Sequence, residues 1–194
     1  MSRRLFTLVS ALAIGVLVSD AARGNQCRPI HTTITTHFVP CLPNESPIGF
    51  CTVGTVHSGL LAGSTRFAAQ TLTVTPDGSM LYTGRLTVTT KSGSTVTLAD
   101  YGMLFTQGPK AGTYSEVEQV IRGTGQFAHA TGMLVSQGDL ILVDVDGTLT
   151  PGFQGSLVGT ICGLEKGHQQ KKHDDDNGHD DDNGHDGDNG HDGE

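Results

Sequence analysis

The sequence predicts an all-β domain, a closed eight-stranded antiparallel barrel with an irregular N-terminal arm and a disordered C-terminal tail. Three observations predict it. Thr, Val and Leu alternate through the middle of the chain, Gly is abundant and Trp is absent, which suits a β domain with many turns. Turn signals recur at short intervals, too close for parallel crossovers. Cys51 and Cys162 sit in the first and last of the alternating segments, so a disulfide between them would staple the sheet shut.

The elements follow in order. Residues 1–24 read as a signal peptide. Arg3 and Arg4 form its positive start, Leu5 to Val18 its apolar stretch and Ser19-Asp20-Ala21 a small-residue cleavage site. The apolar stretch is short for a membrane span, and no other segment is apolar enough for one. The Ser2-Arg3-Arg4-Leu5-Phe6 start also resembles a twin-arginine export signal. The protein is therefore expected to be secreted, into a periplasm or the extracellular space. Residues 25–47 read as an arm, because Pro29, Pro40, Pro43 and Pro47 interrupt any helix or central strand. Residues 48–167 read as the barrel, with strands at 49–57, 65–75, 79–91, 94–106, 112–122, 131–137, 139–147 and 153–163. Turns are expected at Pro76-Asp77-Gly78, Lys91-Ser92-Gly93, Gly108-Pro109-Lys110 and Gln137-Gly138-Asp139. An open β-sandwich is the alternative architecture. Four Cys lie beyond the signal, which fits two disulfides in an oxidising compartment. The expected pairs are Cys51–Cys162, closing the barrel, and Cys27–Cys41, within the arm.

Charge is unevenly placed. Residues 25–172 carry nine acids and nine bases, whereas residues 173–194 carry nine Asp, one Glu and no base. A neutral domain gives no reason to expect nucleic acid as a partner. Residues 168–194 are His/Asp/Gly-rich and should be disordered, since no apolar residue lies between 173 and 194. His173, His179, His185 and His191 recur every six residues, with Asp174, Asp180 and Asp186 after the first three. Imidazole with carboxylate suits Zn, Ni or Cu, and carboxylate alone suits Ca. The tail is thus a candidate for weak divalent cation binding, and the barrel is expected to require no cofactor.

Within the barrel, alternation places Tyr82, Leu86 and Val88 on one face of a strand and Val96, Leu98 and Leu104 on one face of the next, together with Asp100 and Gly102. Asp100 is an acid on an otherwise apolar face. A carboxyl there could orient a polar ligand group or act as a general acid. Ser115 and Gln119 are its expected polar neighbours, sharing a face with Val117 and Ile121, while Glu116, Glu118 and Arg122 are expected to point outwards. Gly123-Thr124-Gly125-Gln126-Phe127-Ala128 looks like a dinucleotide-binding fingerprint, but no helix can follow it before Gly132. It is read as a tight corner, with Phe127 and Ala130 plugging one end of the barrel. No hydrolase elbow is present, and neither His57 nor His129 has a partner at metal-ligand spacing.

The segment Gly123-Thr124-Gly125-Gln126-Phe127-Ala128-His129-Ala130-Thr131-Gly132 resembles the Gly-x-Gly-x-Phe-x-x-Ala-x-Gly signature of allene oxide cyclase-like and dirigent-like barrels. Tyr82-Thr83-Gly84, Tyr114-Ser115-Glu116 and the region Gly155–Gly159 resemble secreted members of the same group. The resemblance covers roughly residues 48–163. It implies a barrel that often forms dimers or trimers, and either a cofactor-free cyclase or a protein that orients phenols. The cyclases' catalytic residues do not map onto this sequence. The expected function is binding of a small apolar or phenolic ligand, or presentation of an interaction surface. The alternatives are a cofactor-free isomerase or cyclase, and a structural cell-envelope protein.

Overall fold

The computed structural model describes residues 27–165. The segments read as signal peptide and metal-binding tail, including His173, His179, His185 and His191, lie outside the described residues. Eight antiparallel strands close into a barrel in sequence order. They are β1 (Arg28–Val39), β2 (Cys51–Val56), β3 (Gly63–Val74), β4 (Met80–Thr90), β5 (Thr95–Leu104), β6 (Thr113–Gly123), β7 (Thr131–Val145) and β8 (Thr148–Cys162). Three short 3-10 turns are the only helical elements among the described residues, and no described helix is long and apolar enough to cross a membrane.

The eight-strand count arises differently from the sequence expectation. Arg28–Val39 is a barrel strand rather than part of an irregular arm, and the irregular path is confined to the prolines after Val39. Pro29 is tolerated because β1 pairs with β8 from Arg28 but with β2 only from Ile34. One side of β1 therefore needs no donor at its start. The expected turn at Gln137-Gly138-Asp139 is instead the middle of β7, where Gly138 pairs with Gly155. A Cβ at Gly138 would collide with the Gln154 carbonyl, so this glycine permits close strand approach. The chain reverses at Asp146-Gly147, both with positive φ (51° and 83°), as tight hairpins require. The turns after β3 and β4 stand where expected, with Gly78 and Gly93 at φ 81° and 82°.

The disulfide pairing is also corrected. Cys27 bonds Cys162 and Cys41 bonds Cys51. Because β1 starts at Arg28, opposite Ile161, Cys27 falls across the β1–β8 seam from Cys162. The barrel is stapled as expected, but through Cys27. Cys51 opens β2 opposite Val39, within reach of Cys41. Two disulfides fit an extracellular protein.

The two ends of the barrel differ. Leu61 and Phe127, each fully buried, plug one end, so Phe127 takes the role the sequence predicts. Val88, Val96, Leu98, Leu134, Leu157 and Ile161 pack against them as an apolar core. The other end is lined by aromatic and acidic side chains.

Candidate functional site

Six rings form a collar inside the second end. Consecutive members meet edge to face. Tyr82 touches Phe67 (centroids 6.1 Å), Phe67 touches Phe50 (6.1 Å) and Phe50 touches Phe38 (4.9 Å). Phe38 touches Phe153 (5.4 Å), which touches Tyr114 (5.3 Å). Edge-to-face contact is the arrangement the ring quadrupoles favour. Glycines make room for the collar. An added Cβ at Gly84 would overlap the Phe67 ring, and one at Gly102 would overlap the Tyr82 ring. We therefore expect Gly102→Val to displace Tyr82 and cost about 1–3 kcal/mol of stability through overpacking, read from chemical denaturation.

Between the two tyrosines the collar gives way to acids. Asp100 on β5 pairs with Glu118 on β6, and Gly102 pairs with Glu116, so three carboxyls converge on the interior. One oxygen from each lies within 4.8 Å of one from each of the others. The Tyr82 hydroxyl donates to Glu116 Oε1 at 2.5 Å. The Tyr114 and Ser136 hydroxyls share a hydrogen bond of 3.1 Å. Asp100 and Glu118 are 2% and 0% exposed, yet Asp100 Oδ1 and both Glu118 oxygens have no hydrogen-bond partner among the described residues. The collar and the acids enclose a cavity of about 40 Å³ lined by Asp100 and Glu116 but not Glu118, which lies beneath. That volume holds a small number of waters. No Lys, Arg or His lines it.

Burial, followed by the charges of Glu116 and Glu118, pushes the Asp100 carboxyl up to about 10. Burial raises Glu116 to about 7, against the downward pull of the Tyr82 and Ser136 hydroxyls. Burial and the Glu116 charge raise Glu118 well above the carboxylate range. Both tyrosine hydroxyls are raised, chiefly by burial, and stay protonated at neutral pH.

Asp100 is thus where the sequence places it, on an interior face beside Val96, Leu98 and Gly102. Ser115 and Gln119 are not its neighbours. The interior face of β6 is Tyr114, Glu116, Glu118 and Val120, whereas Val117 and Ile121 are exposed (42% and 50%), together with Gln119. Strand β6 carries apolar residues on both faces, so alternation alone could not choose. Each face offers two apolar residues, Tyr114 and Val120 or Val117 and Ile121, and the two acids on the first weigh against the correct phase. Sequence reasoning missed Glu116, Glu118 and the collar. The signal available was Tyr114-Ser115-Glu116, already conspicuous in the family resemblance.

No family model matches the sequence, and no curated protein matches it. Among solved structures the chain is similar to the pterocarpan synthase dirigent protein GePTS1, at 14% identity. The match covers 81% of this chain and 100% of that one, with a TM-score of 0.25. Superposition at that level supports no transfer of function, and the closed barrel stands on its own strand pairing.

Proposed function

We propose that this is a secreted barrel that binds a small apolar or phenolic molecule in the collar. The observation that carries this reading is the cavity itself: five rings of the collar on its wall, with two carboxyls and two tyrosine hydroxyls at one side. A ligand ring entering the collar would meet the phenylalanines edge to face. Its hydroxyl can bond Asp100 or Glu116 in a site that excludes most water. Pockets of this kind take orientation from a few polar groups and affinity from apolar lining. At about 40 Å³ the cavity is smaller than one that admits a benzene ring, so even a single-ring ligand enters only as the collar rings part.

Calorimetric titration with p-cresol, with toluene as the hydroxyl-free control, tests the reading. We expect p-cresol to bind about tenfold more tightly, the worth of one hydrogen bond to a charged or strongly polar group. Asp100→Asn should abolish that advantage while leaving the fold intact by circular dichroism. Equal affinity of p-cresol in the variant would remove Asp100 as a ligand-binding residue. Absence of binding by either compound would remove the pocket reading.

A second reading, a cofactor-free isomerase or cyclase, draws on the same placement. Carboxyls facing an apolar cavity can hold a reactive substrate and move a proton without a covalent nucleophile. Turnover of a bound substrate, lost in Asp100→Asn with binding retained, would distinguish it from simple binding. Cation binding by the tail through His173, His179, His185 and His191 is a separate proposal, tested by calorimetry with Zn and Ca on the tail peptide. A structural cell-envelope role would instead require surface retention that depends on residues 168–194.

A further inference from the structure

We propose that the floor of the barrel cavity is a binding site for a single hard divalent cation of calcium's size, held by Asp100, Glu116 and Glu118. This site is distinct from the tail, and it does not depend on the phenolic ligand reading. Two observations carry it independently. The first is spacing. Calcium–oxygen bonds run about 2.3–2.6 Å, so oxygens on opposite sides of one ion stand roughly 4.6–5.2 Å apart. The three carboxyls offer oxygens that all lie within 4.8 Å of one another, a spread that one ion can bridge.

The second observation is Glu118. Its side chain is 0% exposed and points into the cluster, with neither oxygen hydrogen-bonded among the described residues. A buried carboxylate without partners is costly, and a cation is the partner that returns most of that cost. No basic side chain reaches the cavity to take that place. Asp100 Oδ1 is likewise unpartnered. The cavity of about 40 Å³ above the acids leaves room for the waters that complete a six- to eight-oxygen shell. Oxygen-only donors favour calcium, magnesium or manganese over softer metals.

The chain has no Trp and three Tyr, at 82, 101 and 114, which makes terbium a selective probe. Terbium takes calcium sites and emits when a nearby tyrosine is excited. Tyr82 bonds Glu116 directly, and Tyr114 lines the same cavity. The tail, which carries no Tyr, has no sensitiser of its own. Titration of the mature full-length protein with terbium, under tyrosine excitation, should saturate at one sensitised ion per chain, and calcium should displace it. Glu118→Gln and Asp100→Asn should each weaken this signal roughly tenfold or more, because affinity follows ligand charge, with unchanged circular dichroism. Terbium binding without tyrosine-sensitised emission, or emission unchanged in Glu118→Gln, would overturn the proposal. Repeating the p-cresol titration in chelator measures the ligand reading separately, so failure of one does not count against the other.

Discussion

In the presence of a chelator, unfolding free energy is expected to fall steadily as pH rises from about 5 to about 9. The folded barrel raises Asp100 to about 10 and Glu116 to about 7, from ordinary values of 3.8 and 4.5. Glu118 is raised as well. Between the unfolded and folded values the native state binds more protons than the unfolded chain. Stability is then fully present below about pH 4 for these groups and is lost as pH climbs through about 7 and towards about 10. The three carboxyls titrate together, so the slope belongs to the cluster, at about 1.36 kcal/mol per pH unit for each extra proton the native state holds. The groups facing the cluster are Tyr82 on β4 and Tyr114 on β6, both neutral across this range. Glu118→Gln removes one charge and should flatten the slope, leaving the variant more stable than the parent at about pH 9. Urea denaturation at several pH values checks this. A parent stability that rises with pH would show that the acids ionise in the fold without cost.

The disulfides should differ in worth. Replacing Cys27 and Cys162 together by Ser opens a loop with a sequence separation of 135, and replacing Cys41 and Cys51 opens one of 10. Chain entropy predicts losses of about 5 and about 3 kcal/mol. The first bond also sits at the end of the β1–β8 seam, whose ten paired positions close the barrel. Losing it is expected to expose that seam to fraying from Arg28. Denaturation midpoints of the two double variants test the order. A larger loss for the Cys41–Cys51 pair would mean that the seam holds itself closed without the staple.

Much of the barrel was legible in the sequence, because its strongest signals are local. Pro76-Asp77-Gly78 and Lys91-Ser92-Gly93 carry their turns within three residues. The alternation of Tyr82, Leu86 and Val88 encodes the face each side chain takes, since strand periodicity is a property of the backbone. Asp100 could be placed inside for the same reason, and Phe127 at the plugged end. The acid–collar site was not legible. Its parts come from β1, β3, β4, β5, β6 and β8 and from Phe50 just before β2, and local pattern does not reveal which residues meet.

Strand β6 shows the limit most clearly. Both its faces carry apolar residues, so its phase was set by pairing with β5 and β7, which turned Glu116 and Glu118 inwards. Such a conflict between pattern and burial is typical of a functional site. Strand β1 shows a second limit. Pro29 argues against a central strand, and only the one-sided pairing at the start of β1 removes the objection. Taken alone, the sequence determined an all-β chain with four cysteines, repeated tight turns and an interior acid on β5. Which strands seal the barrel, the cysteine pairing and the convergence of three carboxyls beneath six rings were decided by the tertiary structure, because each depends on which distant strands lie side by side.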